Sequence, residues 1–238
     1  MIDRISPTQR PDGRAAGWQS WRELLFAHWP VPVDVLRPLI PERLSIDTYD
    51  GQTFIGLVPF AMQGVRPRWL PFGMDFLETN LRAYVHLDGQ GPGVWFFSLE
   101  ASSWLAVQAA RIGWSLPYHH ATMRTCREGA LVDYRTTRLS NPEAMLSVQY
   151  EVGQSLGPSV PGSLEHFLLE RYLLYSERGG KLLRGQVHHT PYPAHAANIV
   201  SLTEGIVSAA GLPPTLEPPS IVHCSPGVDV EVFDLRPV

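Results

Sequence analysis

The run from Glu78 to Tyr84 carries four polar side chains at alternate positions: Glu78, Asn80, Arg82 and Tyr84. If this run is a β-strand, the four side chains share one face, because successive residues of a strand point in opposite directions. A polar stripe of this kind is typical of the solvated face of a sheet. An acid, an amide, a guanidinium and a phenol together also resemble the convergent polar groups of a ligand pocket. The spacing is compatible with both interpretations.

A second run, 21–29, has the same alternation, with Arg22, Leu24, Phe26 and His28 expected on one face. Arg22 and His28 could belong to a ligand pocket. The alternative is structural: an arginine paired with an acid at the start of a strand, and a histidine whose ring nitrogens are satisfied in the core.

The paired histidines His119-His120 and His188-His189, together with His28, raise the question of a metal site. Neighbouring strand residues face opposite ways, so each pair offers one inward histidine at most. No ligand spacing such as HExxH is present, and we expect no metal. The chain also lacks a glycine-rich phosphate loop and a GxSxG elbow, so we expect no cofactor.

Composition excludes several classes of partner. The formal net charge is -4 and no basic run marks a nucleic-acid surface. No segment approaches the roughly 20 apolar residues that a membrane helix needs. Residues 1–17 have no apolar run, so we expect a flexible tail rather than a secretory signal, and a cytoplasmic protein. Cys126 and Cys224 lie far apart, which argues against a disulfide framework.

The pattern of β-prone runs and turn residues predicts a mostly β architecture. The predicted strands are 21–29, 44–49, 53–62, 77–87, 94–99, 119–127, 131–139, 172–176, 182–188 and 228–233. Turn residues at Asp50-Gly51, 88–93 and Glu128-Gly129 predict three successive hairpins, and Gly179-Gly180 separates a further pair of strands.

Helices are predicted to be few and short. They cover 33–39, 104–114 after Ser103, 163–169, and a segment from Thr203 to Gly211. In the second of these, Trp104, Leu105, Ala109 and Ile112 fall on one face. Many short antiparallel strands with a few helices indicate an α+β class that is mostly β, as a barrel or a strongly curved sheet.

Residues 39–47, Leu-Ile-Pro-Glu-Arg-Leu-Ser-Ile-Asp, resemble the motif that follows the first strand in acetoacetate decarboxylase-like proteins. The segments 21–29, 78–85, 93–99, 116–119 and 184–189 are similar to the YqjF-type branch, whose members are mostly uncharacterised. The resemblance covers about residues 18–235. It implies one domain over 18–238, folded as a curved antiparallel β-barrel around a small-molecule pocket. It also implies that Arg22 occupies the place of a substrate-binding arginine and Glu78 that of a pocket glutamate.

One departure from that family concerns the reaction itself. The decarboxylases carry a lysine pair after the strand that corresponds to 95–99, and one lysine forms a Schiff base with its pKa lowered by its cationic neighbour. Here the corresponding stretch, 100–111, contains no lysine. Of the 19 basic residues, Lys181 is the single lysine, and it follows Gly179-Gly180 in a predicted turn. The sequence therefore argues against an imine mechanism.

These residues lead to the hypothesis of an enzyme of lyase, hydratase or isomerase type that acts non-covalently on a small carboxylate or carbonyl metabolite. The catalytic candidates are Glu78, His28 and Tyr118. The substrate-binding candidates are Arg22, Asn80 and Arg82, since a guanidinium matches a carboxylate bidentately. One alternative is a non-catalytic protein that binds a small molecule in the same pocket. Another is a histidine-based metal enzyme.

The aromatic segment Trp69-Leu70-Pro71-Phe72 lies in a predicted loop. It could fold onto the core of its own chain, close the pocket as a lid, or form a contact in a homo-oligomer.

Overall fold

Thirteen strands form one continuous sheet in the computed structural model, which describes residues 2–215 and 217–238. The strands are β1 (Gly17–Pro30), β2 (Ser45–Ile46), β3 (Phe54–Pro67), β4 (Met74–Leu87), β5 (Gln90–Ala101), β6 (Tyr118–Glu128), β7 (Leu131–Arg138), β8 (Met145–Gly157), β9 (Leu173–Arg178), β10 (Lys181–His188), β11 (Ala194–Glu204), β12 (Ile221–Val232) and β13 (Arg236–Pro237). Their order across the sheet is β13-β10-β9-β5-β6-β7-β8-β11-β12-β1-β3-β4-β2.

Two further pairings, β4 with β5 and β10 with β12, close the sheet on itself. The middle of β5 pairs with β9 and its end with β6, both in parallel. Strand β12 similarly pairs with β11 near its start and with β10 at its end. Two routes therefore lead from β5 to β12, one through β6, β7, β8 and β11 and the other through β9 and β10. Both form closed rings that share β12, β1, β3, β4 and β5.

The shared strands are buried on both faces, because one ring closes over each side. On β1, Leu25 and Ala27 belong to one apolar cluster, whereas Leu24 and Phe26 belong to another. On β4, Leu81, Ala83 and Val85 join the first cluster. The alternate residues of β4 face the second interior, which we call the β10-side interior because Val187 of β10 packs in it.

Short helices connect the strands. They are α1 (Val33–Leu36), continued by a 3-10 turn at Arg37–Leu39, α2 (Trp104–Trp114), α3 (Leu164–Leu169) and α4 (Ile206–Ala209). The hydroxyls of Ser103 and Ser163 cap α2 and α3 by accepting from the backbone N–H of Ala106 and His166. None of the helices in the described part of the chain is long and apolar enough to cross a membrane.

Helix α2 and the segment before β4 expose their apolar side chains. Trp104, Leu105 and Ile112 are 56%, 61% and 76% exposed, and α2 instead buries Ala106 and Val107. Trp69 and Phe72 are 76% and 68% exposed, so this segment does not fold onto its own core.

The mostly β class and the ring-like curvature are confirmed, while several local predictions are wrong. Strand β2 pairs with β4 rather than with β3, so the hairpin expected at Asp50-Gly51 is reduced to a bridge between Tyr49 and Gln52. The helix expected from Thr203 starts later because β11 continues to Glu204 in a ladder with β8. Strands β8 and β11 were not predicted.

The N-terminal residues, expected as a flexible tail, make specific contacts with the rest of the chain. Arg4 pairs with Asp47, and Arg10 donates to Glu231 at 2.6 Å. The backbone N–H of Ala16 donates to the carbonyl of Val232, which extends the ladder of β12.

Candidate functional site

The polar stripe of β4 lies in the β10-side interior rather than in solvent. Glu78, Asn80, Arg82 and Tyr84 are 3%, 5%, 8% and 1% exposed. Strands β3 and β5 flank β4, and the opposite face of β4 is buried as well. The solvated-face interpretation of this stripe is therefore wrong, and the stripe supplies a set of buried polar groups.

Glu78 and Tyr118 form the first part of this set. Tyr118 begins β6, which runs parallel to the end of β5 and so brings the phenol over the start of β4. The hydroxyl of Tyr118 donates to Oε2 of Glu78 at 2.6 Å. Both side chains are buried, and the two catalytic candidates are thus in direct contact.

Burial raises the pKa of the Glu78 carboxyl to about 7, from an ordinary value of 4.5. The charge of Glu100 raises the pKa further, whereas the Tyr118 hydroxyl and the Asn80 amide act in the opposite direction by stabilising the ionised form. A carboxyl with a pKa near neutrality can both donate and accept a proton at physiological pH, which suits a general acid or base.

Arg82 forms the second part, and no carboxylate of the described residues lies within salt-bridge distance of it. Its Nη2 donates to the carbonyl of Leu168 at 3.2 Å, and its guanidinium lies 5.7 Å from the ring centres of Phe26 and Tyr84. Its buried Nε has no hydrogen-bond partner within residues 2–215 and 217–238. Buried charges in proteins are normally paired.

The other buried arginines illustrate the usual arrangement. Arg171 pairs with Asp47 at 2.8 Å, and Arg138 pairs with Glu100 at 2.5 Å. Arg82 therefore differs from its neighbours in lacking a counter-charge from the described residues. An anion is the group that would complete its environment.

His28 lies beside Arg82, and the side chains of both residues contact Tyr84. In the strand register, His28 of β1, Gly56 of β3 and Arg82 of β4 form one cross-strand row. A ring nitrogen of His28, Nε2, lies 2.7 Å from the Tyr84 hydroxyl, which donates to the Leu168 carbonyl at 3.0 Å. Burial, with the charge of Arg82, holds the pKa of His28 well below 6.5, so its ring is neutral.

Asn80 lies on β4 between the acidic residue Glu78 and the basic residue Arg82. Glu78 and Arg82 are four residues apart on one face, about 13 Å between Cα atoms at a strand rise of about 3.3 Å. The Oδ1 atom of Asn80 is buried and has no hydrogen-bond partner in the described part of the chain.

The structure places Arg22 elsewhere, and the alternation expected on β1 holds for Leu24, Phe26 and His28 but fails at Arg22. Glu23 has a φ of 51°, and the register of β1 with β3 shifts after this residue, from Arg22↔Ala61 to Ala27↔Leu57. Trp21 consequently joins Leu24 and Phe26 in the β10-side interior. Arg22 instead forms an ion pair with Asp229, whose side chain is 79% exposed.

The histidines do not assemble into a metal centre. Within residues 2–215 and 217–238, no three His, Cys, Asp or Glu side chains are grouped so that they could hold a metal ion. Glu100 of β5 faces His119 of β6 in the parallel register, and His119 has its pKa lowered to about 4 by burial and by the charges of Arg138 and Arg111. His189 lies in the β10-side interior, where its ring contacts Trp21 and Tyr192.

Sequence reasoning missed one buried polar network on the opposite face of the shared strands. Ser98 donates to Oε1 of Glu100 at 2.6 Å, and Arg138 of β7 donates to both side chains. The alternation of Ser98 and Glu100 on β5 was a usable signal. The partner Arg138 could not be identified, because it reaches them through the parallel pairing of β5 with β6.

Two surface clefts lie away from the polar stripe. One of about 280 Å³ is lined by residues of β1, β3 and β12. The other, of about 80 Å³, is lined by residues of β1, β6, β8, β11 and β12. Neither includes Glu78, Asn80, Arg82, His28 or Tyr118. The buried charges, rather than these clefts, mark the candidate site, because open polar grooves are common and unpaired buried guanidinium groups are not.

Gly56 has no side chain and therefore leaves room for the His28 ring and the Tyr84 hydroxyl to pack against its backbone. A Cβ atom on Gly56 would lie 3.0 Å from the His28 ring and 3.1 Å from the Tyr84 hydroxyl. We expect Gly56→Ala to lower the free energy of unfolding by about 1 to 3 kcal/mol through overpacking. Urea unfolding measures this effect.

The matched control is Gly113→Ala in α2, where a Cβ atom meets nothing within 4 Å. A helical alanine there is expected to stabilise the protein by up to about 1 kcal/mol. Equal effects of the two substitutions would show that the His28–Tyr84 contact does not depend on Gly56.

Comparison with known proteins identifies the family of this chain and its fold. Residues 18–229 match the family model DUF2071, described as an uncharacterized conserved protein. The chain is 37% identical over 230 residues to the uncharacterized protein YqjF of Bacillus subtilis strain 168, covering 95% of this chain and 94% of that protein.

Solved structures extend the comparison to the fold. The enduracididine biosynthesis enzyme MppR, solved with pyruvate, superposes with a TM-score of 0.66 at 13% identity, covering 94% of this chain and 91% of that one. Acetoacetate decarboxylase from Legionella pneumophila gives 0.65 at 12% identity, covering 98% and 94%. The fold is therefore acetoacetate decarboxylase-like, as the sequence resemblance implied. At these identities the likeness concerns the fold alone.

Proposed function

The chain belongs to the DUF2071 family, and on that premise we propose that it is an enzyme acting on a small carboxylate or carbonyl metabolite without a Schiff base. The reaction types that fit are those of a lyase, a hydratase or an isomerase. Each of them moves a proton next to a carbonyl or carboxylate group, and none requires a covalent lysine intermediate.

The observation that carries this proposal is the buried guanidinium of Arg82 without a carboxylate partner among the described residues. A ligand carboxylate would supply the missing counter-charge and accept from the Nε–H that now has no acceptor. The pyruvate in the MppR structure is a small carboxylate bound to a protein of the same fold, which supports this ligand class.

Glu78 is proposed as the general acid or base, with Tyr118 as the group that holds it. At neutral pH its carboxyl is divided between the two protonation states, because its pKa is about 7. The Tyr118 hydroxyl fixes Oε2 of Glu78, and Oε1 would be the oxygen that exchanges a proton with the ligand. Asn80 would orient the ligand between the two ends of the site. His28, neutral and bonded to Tyr84, would set the position of that ring beside Arg82.

The position of Lys181 supports a mechanism without an imine. Lys181 begins β10 after Gly179 and Gly180, whose φ angles of 56° and 71° form the hairpin turn, and it is exposed to solvent. A Schiff-base lysine needs a site that lowers its pKa. We therefore expect Lys181→Arg to leave turnover unchanged.

Trapping with borohydride tests the absence of an imine directly. Incubation of the protein with pyruvate and sodium borohydride, followed by intact-mass spectrometry, is expected to give no adduct. A reduced pyruvyl adduct that disappears in Lys181→Arg would contradict the non-covalent mechanism and leave the carboxylate site in place.

Turnover tests the proposal as a whole. Native mass spectrometry of the purified protein would identify any retained carboxylate, and NMR of that compound with the enzyme would follow its conversion. Glu78→Ala is expected to abolish conversion, and an unchanged rate in this variant would refute the assignment of Glu78. Retention of a carboxylate without any conversion would instead identify a binding protein built on the same site.

A further inference from the structure

His189 lies in an aromatic enclosure of the β10-side interior, formed by the rings of Tyr172, Tyr192 and Trp21. It follows β10 directly and is 3% exposed. Its ring stacks on Tyr172, with centroids 4.3 Å apart and planes inclined by 19°. The rings of Tyr192 and Trp21 lie 4.7 and 5.7 Å away. The ring of His189 is therefore held in a fixed orientation.

The hydrogen bonds of His189 define which nitrogen is free. Nδ1 lies 2.7 Å from the carbonyl of Thr190, and a carbonyl can only accept, so Nδ1 carries the proton. Burial lowers the pKa of His189 to about 4, so the ring is neutral near pH 7. Nε2 is then an acceptor, and it is buried without a partner among the described residues.

Glu170 forms hydrogen bonds with two residues of this enclosure. Its Oε2 accepts from the Tyr172 hydroxyl at 2.7 Å, and its Oε1 accepts from the backbone N–H of Tyr192 at 3.0 Å. One buried carboxyl group thus holds the hydroxyl of Tyr172 and the backbone of Tyr192, the two residues whose rings lie nearest to His189. A side chain held so firmly, with one satisfied nitrogen and one free nitrogen, resembles a preorganised binding group rather than a loosely packed core residue.

A continuous series of ring contacts links His189 to Arg82. Tyr192 lies against His189, Phe26 contacts Tyr192 edge-on at 5.2 Å, and the guanidinium of Arg82 lies 5.7 Å from the ring centre of Phe26. The charge of Arg82 also acts on His189. The same interior therefore contains a donor, Nε of Arg82, and acceptors on His189 and Asn80 that no described residue satisfies.

We propose that Nε2 of His189 accepts a hydrogen bond from the ligand, and that the natural ligand is a hydroxy-carboxylate. This inference rests on the proposed carboxylate site at Arg82. The carboxylate of the ligand would pair with Arg82, and its hydroxyl would donate to His189. A ligand without a hydroxyl or N–H group would leave the histidine nitrogen unsatisfied, which is how a site built around a buried acceptor discriminates.

Lactate and propionate form a matched pair of probes, because they differ only in the hydroxyl. Their dissociation constants, measured by isothermal titration calorimetry, are expected to favour lactate by about tenfold in the unaltered protein. His189→Phe keeps a flat ring for the stack on Tyr172 but removes the acceptor, and it should abolish the preference. His189→Gln, which restores an acceptor, should recover part of it.

His195→Phe is the control, since His195 lies on β11 outside this interior and donates to the Gly153 carbonyl at 3.2 Å. It is expected to leave both dissociation constants unchanged. Equal binding of the two acids by the unaltered protein, or a lactate preference that survives in His189→Phe, would overturn the inference while the carboxylate site stands. Failure of both acids to bind at all would overturn the carboxylate site and the inference together.

Discussion

Replacing Arg82 by methionine is expected to stabilise the protein and to abolish its binding of small carboxylates. Arg82 is 8% exposed, and no carboxylate of the described residues pairs with it, so its desolvation is offset by one backbone carbonyl and two aromatic rings rather than by a counter-charge. An apolar side chain of similar length removes that desolvation cost, and we expect the free energy of unfolding to rise by about 1 to 3 kcal/mol. Urea unfolding measures the stability, and calorimetric titration with lactate measures the binding.

Arg138→Met is the matched control for this prediction. Arg138 is buried to a similar degree, but it pairs with Glu100, which is fully buried. Its removal leaves a buried carboxylate without a partner, so we expect a loss of about 3 to 5 kcal/mol. Opposite signs for the two arginine substitutions would support the assignment of Arg82 as a binding group. A loss of stability in Arg82→Met equal to that in Arg138→Met would mean that Arg82 is a structural residue.

Glu78→Gln is expected to have an effect on stability that grows with pH. The carboxyl of Glu78 has a pKa of about 7 in the folded protein and an ordinary value of 4.5. Below about pH 4.5 both states are protonated, and the folded protein keeps its full stability. As the pH rises toward and beyond 7, the unfolded chain is ionised while the folded site resists ionisation, so stability is lost.

Glutamine has the same shape and cannot ionise, so Glu78→Gln removes this loss. Its stability relative to the unaltered protein should increase by about 2 to 3 kcal/mol between pH 5 and pH 8. Urea unfolding at both pH values provides the measurement, and the comparison between the two proteins cancels the contributions of the buried histidines. A difference that does not change with pH would show that Glu78 has an ordinary pKa and is a poor candidate for proton transfer.

The period of two on β4 explains why part of the site could be predicted from the sequence. Glu78, Asn80, Arg82 and Tyr84 share a face because β4 is regular over that stretch, with each residue opposite one residue of β3. Burial of this face could not be predicted, since it depends on ring closure through β9 and β10, far along the chain. The sequence of the polar stripe is compatible with a solvated face and with a buried face, so it does not distinguish the two.

Arg22 shows the opposite case. Its assignment assumed regular alternation on β1, and the irregularity at Glu23, which has a positive φ, shifts that alternation by one residue between Trp21 and Leu24. A glutamate gives no sequence signal for a left-handed backbone conformation, in contrast to glycine. The Leu168 carbonyl, which accepts from Arg82 and Tyr84, was also out of reach, because it is a backbone atom of α3 that contacts β4 only in the folded chain.

The missed strands have different explanations. Strand β8 alternates Leu146, Val148 and Tyr150 toward the core, a signal that was present in the sequence. Strand β11 begins Ala-His-Ala-Ala-Asn, residues with little preference for β structure, and its pairing with β8 is interrupted by irregularities. Its strand conformation comes from its neighbours in the sheet rather than from its own residues.

The side-chain Nε–H signal of Arg82 in a nitrogen-15 NMR spectrum offers the most direct test of the carboxylate site. The signal would be assigned by its disappearance in Arg82→Met. We predict a progressive, saturable shift of this signal as lactate is added, because the ligand carboxylate becomes the acceptor that Nε lacks among the described residues. If lactate shifts other signals to saturation while that of Arg82 stays in place, the carboxylate binds elsewhere and Arg82 is not the binding residue.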